Sequence, residues 1–253
     1  MLSFVAFLVV GILLGLLGGG GSILAVPAFT YIVEQSQRDA TWSSLLLVAA
    51  TSSVATFLQH KAKRLETRVG LRFSFFAVVG AFLGARLSNH LPTKALFVLL
   101  LLLMTGAGAS MLRRRKDEPK GEAKGSVAVL AGVALFIGIL SGTVGVGGGF
   151  LIVPALVMFG GLPMDRATGT SVLVIALQSW AGLAGHADKV RWEIVRSNVP
   201  LVALSITGSF LGVAILPRVK AASLRRAFGA FVLLVVAALF AREFVLVRVG
   251  VLR

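Results

Sequence analysis

The chain has no cysteine, which excludes disulfides, thiolate metal sites and cysteine nucleophiles. Charge is scarce. Only 14% of residues carry it, against about 25% in an ordinary soluble domain. With a mean hydropathy of +0.94, such a chain cannot clothe the surface of a soluble enzyme. There are only 10 acids; Glu34, Asp39, Glu66, Asp165, Asp188 and Glu193 all mark the ends of apolar runs. No carboxylate relay of a cation pump is therefore written into the interior. No Ser-His-Asp set, His-Glu-x-x-His, nucleotide P-loop or metal-ligand spacing occurs. The chain reads as a non-enzyme with no cofactor, and any energy it uses must come from gradients or a partner.

What is abundant is apolar sequence. Segments 1–33, 40–59, 69–91, 95–112, 125–164, 167–185, 197–217 and 227–241 are uncharged or nearly so, and about 20 apolar residues cross a bilayer as a helix. In the third, Arg72 and Arg86 lie near the ends, where long basic side chains snorkel. These runs predict an all-α polytopic membrane protein of about eight hydrophobic helices, taken here to cross one by one. The first run is too long for a cleavable signal peptide and lacks its basic start. The net charge of +15 comes from short basic clusters between the runs. That pattern fits loops meeting anionic headgroups, with the bilayer rather than nucleic acid as partner.

The chain is a duplication. An offset of 127 carries Gly15, Gly18, Gly20, Gly21, Leu24, Val26 and Pro27 onto Gly142, Gly145, Gly147, Gly148, Leu151, Val153 and Pro154. It also carries Ala40, Thr41, Ser44 and Ser52 onto Ala167, Thr168, Ser171 and Ser179. After a one-residue slip, Gly80 and Gly84 answer Gly208 and Gly212. The halves are 1–112 and 125–253, joined by the charged linker 113–124, which the positive-inside rule puts in the cytoplasm. Crossing by all eight elements makes the halves parallel repeats. A first element that enters and returns in each half makes them inverted, and loop charge does not separate the two.

The glycine clusters carry the chemistry. Consecutive glycines weaken a helix by about 0.8–1 kcal/mol each relative to alanine, which predicts helix breaks within 18–22 and 145–149. Irregular backbone at membrane depth survives only inside protein or along a polar cavity. New half-helices would start at 22 and 149, with amides able to hold an anion. The expected site is Gly20, Gly21, Ser22, Gly147, Gly148 and Gly149, completed by the hydroxyls of Ser52, Ser171 and Ser179. On this reading, alanine or valine at Gly21 or Gly148 intrudes on the site while the protein still folds. The competing reading is that the glycines serve helix packing alone. Near the cytoplasmic or external ends, His60 and His186 occupy nearly matched positions, and His186 with Asp188 is the candidate pair for gating or proton coupling.

Taken together, LGLLGGGGSILAVPAF and LSGTVGVGGGFLIVPAL, each followed by Ala-Thr-x-x-Ser and a Gly-x-x-x-Gly element with Leu-Pro behind it, resemble the sulfite exporter TauE/SafE family. The sequence departs from its own repeat at Ser22 against Gly149 and at Gly19 against Val146. The resemblance implies a secondary transporter of the bacterial cytoplasmic membrane, for sulfite, sulfonates or related small anions. The expectation is alternating access, proton-linked; the alternative is a passive anion channel or a structural membrane component. Substrate, direction, coupling ion and oligomeric state are left open, a homodimer among them.

Overall fold

The computed structural model describes residues 2–88, 90, 92–112, 127–144, 149–187, 191–219 and 221–248. Every regular element among the described residues is helical. The helices are α1 (Leu2–Leu17), α2 (Ala25–Tyr31), α3 (Gln37–Lys61), α4 (Thr67–Ser88) and α5 (Thr93–Leu112). There follow α6 (Val127–Val144), α7 (Gly149–Met158), α8 (Met164–Gly185), α9 (Trp192–Ile215) and α10 (Ala221–Arg248). A 3₁₀ turn over Gly20–Leu24 joins α1 to α2. By length and composition, α3, α4, α8 and α9 are able to cross a membrane. The linker 113–124, the cluster residues Gly145, Gly147 and Gly148, and Asp188 lie outside the described residues.

The first apolar run is two helices, because Gly18 and Gly19 take φ of 68° and 150° and turn the chain back. The returning segment lies along α1. A methyl group on Gly21 would stand 2.5 Å from Leu14 N and Val10 O, and the Phe29 ring meets Phe7 at 4.7 Å between centroids. Position 21 is thus level with 10–14, and 29 with 7, so α1 and α2 are antiparallel. The run enters and returns. This corrects the expectation that all eight elements cross.

The fifth run follows the same course. α6 lies parallel to α4, with Gly138 against Ala77 and Gly142 against Ala81, so it starts level with the start of α4. α8 begins at that level too, since Arg166 pairs with Glu66 just ahead of α4. The chain therefore comes back along α7 to the side from which α6 departed.

The backbone details of the two hairpins coincide at the 127-residue offset. Gln35 N donates to Phe29 O at 3.0 Å, and Leu162 N to Leu156 O at 3.1 Å. Val33 N reaches Ala28 O at 3.2 Å, and Gly160 N reaches Ala155 O at 3.3 Å. Glu34 and Gly161 both adopt left-handed φ, 60° and 64°. Each hairpin packs on the third long helix of the opposite half: α1 on α9 and α6 on α4. Glycine backbones make both seams. A methyl on Gly11 or Gly15 would overlap Ser205 or Ser209, and one on Gly208 or Gly212 would overlap Leu8 or Ile12. At the other seam, Gly80 and Gly84 abut Leu135 and Ile139 in the same manner. Ser205 Oγ also donates to Phe7 O across the first seam at 2.8 Å. Such interhelical bonds average only about 0.6 kcal/mol in membranes, so close glycine packing contributes more to the seam than polar contacts.

α3 and α8 form the centre. Their apolar stretches are 61% and 67% buried, against 44% for α4 and 33% for α9. They run antiparallel: a methyl on Gly182 would meet Leu45 Cδ1 at 3.4 Å, while the start of α8 at Gly169 abuts the backbone of Arg64 just beyond α3. Ser36 caps α3 by accepting from Asp39 N at 3.2 Å. The outward face of α4 exposes Leu71, Phe75, Val79 and Phe82, apolar side chains suited to lipid.

Candidate functional site

The hairpin tips meet in the interior. A methyl on Gly19 would lie 2.6 Å from the Gly149 Cα, and one on Gly149 would lie 2.5 Å from the Gly19 Cα. Ile175 of α8 abuts both: its Cδ1 would stand 2.7 Å from a methyl on Gly149. The first tip is fastened to α8 by Ser171, whose Oγ bonds Gly18 O at 2.5 Å and Thr168 O at 2.8 Å. Ser22 stabilises the turn itself, its Oγ donating to Gly19 O at 2.6 Å and its amide to the same oxygen at 3.1 Å. Of the residues expected at the site, Gly149, Ser22 and Ser171 are brought together here. Gly147 and Gly148 lie outside the described residues.

Two expectations change. Ser171 is wholly buried and its hydroxyl is occupied by two carbonyls, so it holds the tip in place. Gly21 faces the α1 backbone at Val10 and Leu14, so a side chain there collides with the hairpin's own first arm and not with a bound ligand. Gly20 opens the 3₁₀ turn.

Ser52 and Ser179 behave differently. Both are wholly buried, and neither hydroxyl has a hydrogen-bond partner. They sit beside the crossing of α3 and α8, where Trp180 Nε1 donates to Ser53 Oγ at 3.2 Å. Ser179 follows Ile175 by four residues, one turn along the same helix face. Thr51, next to Ser52, is also buried and unpartnered. A buried hydroxyl without a partner costs about 1–3 kcal/mol, and here two stand at equivalent positions of α3 and α8.

His186 caps α8 and is buried, whereas His60 is exposed. Its Nδ1 stands 2.9 Å from Gly182 O, and its Nε2 stands 3.0 Å from Ser88 Oγ. Against a carbonyl, Nδ1 is the donor. Ser88 Oγ has one proton and two claims on it, since Ala85 O lies at 2.7 Å. When it serves Nε2 the ring is neutral; when it serves Ala85, Nε2 must donate and the ring is charged. Asp188 lies outside the described residues. At the offset of 127, the equivalent of His186 is not His60 but Gln59, which is wholly buried with both amide atoms unpartnered. Sequence reasoning passed over Gln59; the strict offset was the signal that would have found it.

Among the described residues no group of three or more His, Cys, Asp and Glu is arranged to hold a metal. The chain's own sequence matches the family model for sulfite exporter TauE/SafE over residues 3–239.

The chain belongs to the sulfite exporter TauE/SafE family.

Among curated relatives, it is 34% identical over 236 residues to a "Probable membrane transporter protein" of Xylella fastidiosa (strain Temecula1), covering 89% of each chain. It is 28% identical to "Probable membrane transporter protein YunE" of Bacillus subtilis, over 79% of this chain and 84% of that one. It is 28% identical to "Probable membrane transporter protein MJ0441" of Methanocaldococcus jannaschii, over 89% of each. No solved structure matches it. Family and apolar helices together make this TauE/SafE chain a multi-pass membrane protein.

Proposed function

We propose that the protein is a secondary transporter that moves a small oxyanion, sulfite, a sulfonate or a related sulfur-containing or organic anion, across the cytoplasmic membrane of a bacterium. The observation that carries this reading is the meeting of two hairpin tips at Gly19 and Gly149 against Ile175 of α8, one helical turn before the unpartnered hydroxyl of Ser179, with Ser52 unpartnered at the equivalent position of α3. An anion held by hydroxyls and backbone donors needs no fixed positive charge, which would cost about 2.5–3.5 kcal/mol to insert at mid-membrane and would slow release. The printed names of the relatives support a transporter.

The architecture proposed with it is two inverted repeats, each a re-entrant hairpin and three crossing helices, with the linker in the cytoplasm. Recurrence of the hairpin hydrogen bonds at an offset of 127, and of the glycine seams at 127 or one residue more, supports it. Alternating access then follows as one half rocks against the other about the central α3 and α8. Proton linkage is proposed through His186, whose two hydrogen-bonding arrangements with Ser88 differ by one proton.

The test is flux into proteoliposomes screened over sulfite, sulfate, thiosulfate, sulfoacetate and taurine. A transporter gives saturable flux for at least one of them. Flux that rises linearly with concentration marks a passive channel, and no flux at all overturns the reading.

A further inference from the structure

We propose that Gln59 is a second binding station for the small oxyanion, two helical turns from Ser52 toward the loop 61–64. This rests on the transporter reading above and extends its path. Gln59 lies seven residues beyond Ser52 on α3, two turns along the same face and about 10.5 Å of helix rise. Its side chain is wholly buried, yet neither Oε1 nor Nε2 has a partner. Its main chain is fully employed: the Gln59 carbonyl accepts from Arg64 N at 3.1 Å, which fastens the following loop over it.

A buried primary amide with both ends unmet is the costliest polar group on this helix, since each unsatisfied group costs desolvation that nothing returns. A ligand that accepts hydrogen bonds removes the Nε2 share of that cost. The amide offers two N–H donors and no charge, the same kind of recognition as the hydroxyls of Ser52 and Ser179. The surroundings favour an anion. Lys61 and Lys63 are exposed in the loop above and Arg64 follows them, so an anion arriving from that side meets positive potential first. Gln59 is then the first buried donor below the loop, and Ser52 lies two turns deeper. At the far end of α8, the equivalent position carries His186, whose ring is already bonded to Ser88 and Gly182. The two ends of the path therefore differ: an open amide on one side, an engaged imidazole on the other.

The test compares wild type, Gln59→Leu and Gln59→Met in proteoliposomes, with sulfite as the probe, and follows the thermal unfolding of each in detergent with and without sulfite. Both variants remove unmet polar atoms, so their stability without sulfite should equal or exceed that of wild type. The KM for sulfite should rise by about tenfold or more, the factor that one hydrogen bond to a charged group is worth, and the upward shift of Tm by sulfite should shrink. Saturable wild-type flux with unchanged KM in both variants overturns the role of Gln59 and leaves the transporter reading standing. A wild type that neither moves sulfite nor is stabilised by it overturns a sulfite station at Gln59, while the transporter reading stands or falls on the full anion screen.

Discussion

Gly19 and Gly149, separated by more than half the chain, touch through their backbones, so that a methyl on either would come within 2.6 Å of the other's Cα. Gly19→Ala and Gly149→Ala should therefore both destabilise the protein, by the roughly 1–3 kcal/mol that overpacking costs. Gly19→Ala should be the worse of the two, because its φ of 150° is a further strain on an L-residue. Thermal unfolding in detergent checks the order.

Serines at the site should separate into two kinds. Ser171→Ala removes the hydroxyl bonded to Gly18 O and leaves a buried carbonyl short of a donor, so stability should fall by about 1–3 kcal/mol. Ser179→Ala removes a hydroxyl that bonds nothing, so stability should hold or rise while anion flux falls. Unfolding and flux measured on the same preparations distinguish the two; equal behaviour of both serines would remove the assignment.

Topology is open to labelling because the chain has no cysteine of its own. With each hairpin returning to its side of entry, Arg38→Cys and Arg196→Cys should react with an impermeant maleimide from one side of the membrane. Lys61→Cys and Arg218→Cys should react from the other. If every apolar element crossed, Arg38 and Arg196 would face opposite sides.

A pH gradient should drive transport through His186. His186→Gln installs the residue found at the equivalent position 59 and keeps hydrogen-bonding capacity, yet cannot titrate near neutrality. Its flux should persist down an anion gradient and lose its response to an imposed pH gradient. Flux measured at fixed anion gradient with and without that pH step decides the matter.

The parts of this fold legible in the sequence are those where one residue type admits one use. Runs without charge mark the helices, and the first glycine cluster marks the break between α1 and α2. The return of the hairpins was not legible, since glycines 18–21 announce a break but not its angle. That angle is set by φ at Gly18 and Gly19 and by the fit of Gly21 onto Val10 and Leu14. For the same reason the expected effect of Gly21→Ala changes: the hairpin should fail to close, and loss of fold should accompany loss of function. Ser171 and Ser179 look alike in sequence, about two turns apart on one helix, and only the position of the Gly18 carbonyl separates a strut from a free hydroxyl. The strict offset of 127 pairs His186 with Gln59, and His60 stands one residue beyond it.

The most direct measurement of the central claim is sulfite flux by the double variant Ser52→Ala, Ser179→Ala beside wild type, at equal membrane abundance and with unfolding recorded. The expected result is saturable flux in wild type, a loss of about tenfold or more in the variant, and no loss of stability. Flux at the wild-type level in a stable double variant would contradict an anion site between the two halves.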